Sequence, residues 1–283
     1  MKKFNFLSFL ATAALILSVS FTSCKTDDPN EGKTDPATIA ADSLVAYFPF
    51  NGDGIDKVAS LTPGANAKVT YVTGQRGKCY QGDSLAYLMY TLPSTSKLAT
   101  MTQGFTVSGW VKAAKVFGDP VPMIFQIGRS DDHFWGNLTW MQERAGDLAT
   151  GGAKDSCYYK FCFKAGGVDN TQWLADNQWK KFVANQWQYI TLSYDGTTSK
   201  FSVYVNGVLY TERSKSLTNA GLLTFSNVDK LVIGGWLQKI LNGATDVWMG
   251  WYKGNLDELR IYNAGLSAQR VKNLYDAEVS YLD

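Results

Sequence analysis

Residues 185–210 read NQWQYITLSYDGTTSKFSVYVNGVLY, and their periodicity decides the fold. Trp187, Tyr189, Thr191 and Ser193 alternate with Gln188, Ile190, Leu192 and Tyr194, the two-residue period of a strand. Asp195-Gly196 then marks a tight turn, because glycine accepts the positive φ that such turns need. Phe201, Val203 and Val205 alternate with Ser202, Tyr204 and Asn206, so the chain returns as a second strand. Asn206-Gly207 opens another turn, of type I′ character, into Val208, Leu209 and Tyr210. A three-strand meander needs at least one covered face, so the stretch implies a larger sheet.

Outward from this hairpin, strand patterns recur at residues 67–72, 86–91, 105–111, 123–127, 138–143, 157–164, 231–233 and 254–262. Gly, Asp and Asn turns separate them, and no heptad or internal repeat interrupts. Residues 271–275 predict a short terminal helix capped by Ser267, with Leu266, Val271 and Leu274 turned to the sheet. The expected class is all-β: a two-sheet antiparallel jelly-roll sandwich with a short C-terminal helix.

The N-terminus carries a different message. Lys2 and Lys3 precede an apolar run and then small residues before Cys24, the layout of a secretory signal over residues 1–23, too short to span a membrane. Phe21-Thr22-Ser23-Cys24 resembles a bacterial lipobox, which implies lipidation at Cys24. Lys25, Asp27 and Asp28 resemble the acidic tag that sends some outer-membrane lipoproteins to the cell surface. Residues 24–41 read as the lipidated start and a polar tether, leaving 42–283 as one folded domain. Of 27 Lys and Arg, two precede Cys24, so 25 basic residues face 25 acidic ones beyond it. A balanced chain without a basic stripe argues against nucleic acid as a partner.

Four segments resemble the laminin-G-like, concanavalin A-like lectin and glucanase domains. These are the central hairpin, GFTVSGWV at 104–111, GNLDELRIY at 254–262 with Asn263, Leu266 and Ser267 behind it, and LVAYFPFNGDGID at 44–56. They fall in the family's order across about residues 42–278. The resemblance implies the jelly roll, with Trp110 and Trp187 in the core and Cys79 at a small buried position. It also implies a structural Ca²⁺ near Asp257, with Asp56 and Gly82 in neighbouring segments, since oxygen ligands suit calcium. It does not settle activity, because this fold carries lectins, glucanases and adhesion modules.

The residues themselves argue against catalysis. Laminarinase-type glucanases of this fold carry E-x-D-x-x-E on one strand, which puts the paired carboxylates on one face. Here the five glutamates are Glu31, Glu143, Glu212, Glu258 and Glu278, and none has an acidic partner at that spacing. Asp257 and Glu258 are adjacent, which on a regular strand places them on opposite faces. The single His133 sits beside Asp131 and Asp132 in a loop pattern, a poor start for a triad. Cys157 and Cys162 lie five apart on one strand and point to opposite faces, so isolated buried thiols are expected there and at Cys79.

Binding is the better reading because of where the other tryptophans lie. Trp135, Trp140, Trp173, Trp179, Trp236, Trp248 and Trp251 crowd into turn-rich segments with Arg129, Asp131, Asp132 and Asn170. An indole face stacks on the C–H face of a sugar ring while carboxylates and amides bond the hydroxyls. The expectation is a non-catalytic, cell-surface lipoprotein of the outer membrane that captures polysaccharide. The alternatives are a protein-binding adhesion or assembly module on the same aromatic edge, and an unusual glycoside hydrolase.

Overall fold

The computed structural model describes residues 32–64, 68–115, 121–143, 157–174, 182–211, 214–243 and 246–282. Strands β1 (Leu44–Phe48), β2 (Thr70–Thr73), β3 (Lys78–Gln81) and β4 (Leu88–Thr91) open the chain. Then come β5 (Gly104–Lys112), β6 (Val121–Ile127), β7 (Leu138–Glu143), β8 (Tyr158–Lys164) and β9 (Thr171–Leu174). The central meander supplies β10 (Gln188–Asp195), β11 (Lys200–Val205) and β12 (Val208–Leu209), followed by β13 (Lys215–Ser216) and β14 (Lys230–Ile233). Helix α1 (Leu237–Asn242), β15 (Met249–Trp251), β16 (Asn255–Tyr262) and helix α2 (Ala268–Ser280) complete it. All of these elements lie in one compact unit, residues 33–283; the other unit, residues 1–32, falls outside the described residues except Gly32. Cys24 and the signal segment are therefore outside the description.

The first sheet runs β12-β11-β10-β5-β16-β3-β2, with β1 also on β16 and β13 on β11. The second runs β4-β14-β6-β7-β8-β9, with β15 on β6 as a parallel pair in otherwise antiparallel pairing. Alternation in β10 resolves as expected for a sandwich: Ile190, Leu192 and Tyr194 enter the core between the sheets. From the second sheet they meet Leu138, Trp140, Phe161 and Phe163. Tyr189 points the other way, under α2, where Trp110, Tyr262, Leu266, Val271 and Leu274 pack with it. Trp110 is thus buried between sheet and helix rather than between the sheets, and Trp187 is only half-buried at the edge of the same cluster. Helix α2 is longer than the sequence pattern predicts, and Ser267 caps it by accepting from the Arg270 N–H.

Two turn readings come out differently. Asn206 and Gly207 take φ of 51° and 73°, as a type I′ turn demands. The 195–200 turn instead puts its positive φ at Ser199, 53°, while Asp195 accepts from the Thr197 N–H and from the Thr197 and Thr198 hydroxyls. Gly196 is needed for closeness, since a Cβ there would stand 2.7 Å from the Gln103 carbonyl oxygen.

Candidate functional site

The outer face of the second sheet carries the residues that alternate with the inter-sheet core. Across β6, β7, β8 and β9 the register aligns Gln126, Thr139, Cys162 and Trp173 in one row. Gln126 is buried and organises what covers that face. Its amide donates to the carbonyls of His133 and Phe134, and its oxygen accepts from the Leu237 N–H at the start of α1. Asp132 accepts from the N–H groups of Phe134 and Trp135 at 3.1 and 3.0 Å, an Asx-type turn that aims both rings at the sheet.

An aromatic cluster results. Met123, Met141, Met249 and Trp236 are its buried base, with Phe134, Trp135 and Trp248 half-buried above. Ring centroids lie 4.4 Å apart for Phe134–Trp135, 5.2 Å for Trp236–Trp248 and 5.0 Å for Trp135–Trp173, all edge-to-face. At its end Trp173 is 45% exposed, although it sits in a strand rather than a loop. Trp135, Thr171 and Trp173 line an open pocket of about 340 Å³. Beside it, the Lys164 ammonium donates to the Thr171 hydroxyl at 2.8 Å.

Several expected positions are corrected. Trp140 is an inward residue of β7, sharing its face with Leu138 in the inter-sheet core. Trp236 is fully buried and donates its indole N–H to the Val121 carbonyl at 2.6 Å. Neither ring is free to stack on a ligand. Trp251 lies apart from the Trp135–Trp173 pair, stacked on Tyr87 at 5.7 Å and 16°. Trp179 is outside the described residues. Arg129 pairs with Asp131 at 2.6 Å and donates to the Val168 carbonyl, which ties the β6–β7 loop to the β8–β9 turn holding Asn170. That pair, chiefly through the Arg129 hydrogen bond, lowers the Asp131 carboxyl to about 2. Arg129, Asp131 and Asp132 therefore already serve the loop. Phe134, Thr171 and Lys164 join the site unannounced, although Phe134 sits beside Trp135 in sequence.

The residues expected around calcium have other partners. Asp56 spends both oxygens on the N–H groups of Tyr47, Val58 and Ala59. Gly82 donates to the Gly254 carbonyl and lies too close to Tyr252 for a side chain. Asp257 accepts from the Gln75 and Arg76 N–H groups through Oδ2, while its buried Oδ1 has no hydrogen-bond partner among the described residues. No group of three or more His, Cys, Asp or Glu suited to a metal occurs among the described residues. Amide donors occupy both Asp56 oxygens and Asp257 Oδ2, which leaves Asp257 Oδ1 as the one bare carboxylate oxygen of the set.

Glu258 is a further correction. A bulge in β16 gives it φ of 53°, so it does not oppose Asp257 as an alternating strand would have it. Both carboxylates meet the same residue, Asp257 accepting from the Arg76 N–H and Glu258 from its guanidinium. Arg260 then bonds Glu258 and Glu278, all three buried. Glu143 bonds Lys160. The cysteines Cys79, Cys157 and Cys162 are free and buried, and burial raises their thiols to about 11, about 12 and about 12.

A laminin-G family model, described as the concanavalin A-like lectin/glucanases superfamily, matches residues 89–272. The chain belongs to that superfamily. No curated protein is significantly similar to this concanavalin A-like chain. Among solved structures, domain 4 of AbnA, a GH43 extracellular arabinanase from Geobacillus stearothermophilus in complex with arabinotriose, is similar with a TM-score of 0.53. That match has 20% identity over 82% of this chain and 98% of the other. The binding domain of botulinum neurotoxin DC in complex with rat synaptotagmin II gives 0.56 at 12% identity, covering 84% and 52%. A structure of botulinum neurotoxin type C, whose cell entry depends on two ganglioside molecules, gives 0.56 at 12%, covering 84% and 51%. The chain spans about half the length of these neurotoxin chains. At such identities the likeness is one of fold.

Proposed function

We propose that the protein is a non-catalytic glycan-binding lipoprotein, tethered through Cys24 to the outer membrane and exposed at the cell surface. The observation that carries this reading is Trp173. A 45% exposed indole on a strand, held edge-to-face by Trp135 beside a shallow pocket, presents a rigid apolar surface at little entropic cost. The fold neighbours that bind arabinotriose and gangliosides support the reading by analogy of fold alone. The glutamates that lie among the described residues are engaged with Lys160, Arg76 and Arg260, which also favours binding over hydrolysis.

The test is affinity electrophoresis of the full chain in gels holding neutral and acidic polysaccharides, with chromatography of the sugar afterwards. Retardation without new oligosaccharides is expected, and Trp173→Ala should weaken it about tenfold, roughly 1.4 kcal/mol. New reducing ends would establish a hydrolase instead. A chain retarded by no polysaccharide would refute the glycan reading and leave a protein partner. For the tether, Cys24→Ser is expected to move the protein from the membrane to the soluble fraction, and continued membrane retention would refute the anchor.

A further inference from the structure

Strand β9 sets two side chains of the aromatic site on one face. Thr171 and Trp173 are two residues apart, so both project from the outer side of the second sheet, about 6.6 Å from each other along the strand. Their cross-strand partners on β8 are Lys164 and Cys162. Lys164 is 6% exposed and does not line the pocket, yet its ammonium donates to the Thr171 hydroxyl at 2.8 Å. Among the described residues that is its one side-chain hydrogen bond, and it has no ion pair. An ammonium buried to this degree meets a ligand only through Thr171.

A hydroxyl has one proton to donate and two lone pairs to accept with. The Lys164 bond occupies one lone pair and turns the Thr171 proton away from the ammonium. That proton finds no acceptor among the described residues, while Thr171 lines the open pocket with Trp135 and Trp173. A charged donor behind the oxygen also polarises it, which strengthens the hydroxyl as a donor and weakens it as an acceptor.

We propose that Thr171 is the specificity-determining donor of the glycan site and that Lys164 is its positioning residue. The ligand is a sugar ring stacked on Trp173 that turns an acceptor oxygen toward Thr171. The inference rests on the glycan reading above and deepens it. A uronate carboxylate and a neutral ring or hydroxyl oxygen offer the same acceptor chemistry, so separate ligands distinguish them.

The experiment is affinity electrophoresis of the full chain in graded concentrations of polygalacturonate, its carboxyl-reduced form and arabinan. Against the polymers that retard the wild type, Thr171→Val keeps the shape, loses the proton and should weaken binding about fivefold. Thr171→Ser should restore most of that loss. A penalty confined to polygalacturonate assigns the acceptor to a carboxylate, and one shared with a neutral polymer assigns it to a neutral oxygen. Lys164→Met keeps the buried stem. It should weaken binding in the wild type but add less than about twofold to Thr171→Val, because it acts through that hydroxyl. The same loss in both backgrounds would mark a merely structural lysine and overturn its positioning role. Wild-type affinity in Thr171→Val, or a Thr171→Ser as weak as Thr171→Val, overturns the donor while a loss in Trp173→Ala keeps the stacking reading. Retardation in none of the three gels overturns both.

Discussion

The two sheets each have an outer face, and the chain covers them by opposite means. Outside the first sheet, α2 lies over Trp110, Tyr189 and Tyr262, and a buried ionic set of Arg260, Glu258 and Glu278 locks it there. The Trp110 indole itself donates to Glu278 at 3.2 Å. Outside the second sheet no helix of comparable length lies among the described residues. Loop aromatics and methionines cover it instead, and among the described residues the cover ends at the 45% exposed Trp173. A helix sealed by buried charges leaves nothing for a ligand to displace. Soft methionines beneath half-exposed indoles leave a surface that still gains by burial. On the proposed reading, the same sandwich assigns stability to one face and recognition to the other.

Breaking the sealed face should have the largest effect. Glu278→Ala leaves Arg260 buried with one carboxylate fewer and is expected to cost roughly 3–5 kcal/mol in urea unfolding. Glycan retardation by the folded fraction should persist. A loss of binding equal to that of Trp173→Ala would erase the distinction between the faces.

Next in size is a pH effect on the same side. Burial raises the Asp257 carboxyl from its ordinary 3.8 to about 8. Between those values the native protein holds a proton that the unfolded chain has released, so this group makes stability fall as pH rises through that window. Asp257→Asn keeps an acceptor for the Gln75 and Arg76 N–H groups and removes the titration. Unfolding midpoints measured across that range should flatten, by on the order of a few kcal/mol at the alkaline end. An unchanged slope would place the titration elsewhere.

The smallest effect belongs to the open face. Asp132→Ala removes the acceptor for the Phe134 and Trp135 N–H groups and should cost about 1 kcal/mol of stability, by analogy with lost caps. Its stronger readout is glycan affinity, because Trp135 supports Trp173. Undiminished affinity would show that Trp173 holds its position without Trp135.

Trp140 and Trp173 show how far reading the chain reaches. Both stand in strands next to charged or polar neighbours, and both count equally as candidate stacking residues. Leu138-x-Trp140 already hints at the inward face, since an apolar partner two residues away shares the side chain's direction. Trp173 has Thr171 two residues away and faces outward. Trp236 offers no such clue: it follows Gly234-Gly235 at the exit of β14, and only the fold over Val121 buries it. Asp257 and Glu258 depart from strand alternation for a local reason, a bulge against Gly109, where a Cβ would stand 3.1 Å from the Asp257 carbonyl oxygen.

Local periodicity and turn chemistry, acting over a few residues, suffice to place β5–β8, β10, β11, β14 and β16, the Asn206-Gly207 turn and the Ser267 cap, and hence the all-β class, but not β3, β9, β13 or β15. Which tryptophans meet water is another matter. Exposure depends on which distant loop returns over a sheet face, as the 129–136 loop does through the Gln126 amide. Such contacts join segments far apart in the chain and leave no spacing to read. The tertiary structure alone closed one face with α2 and left the other open at Trp173.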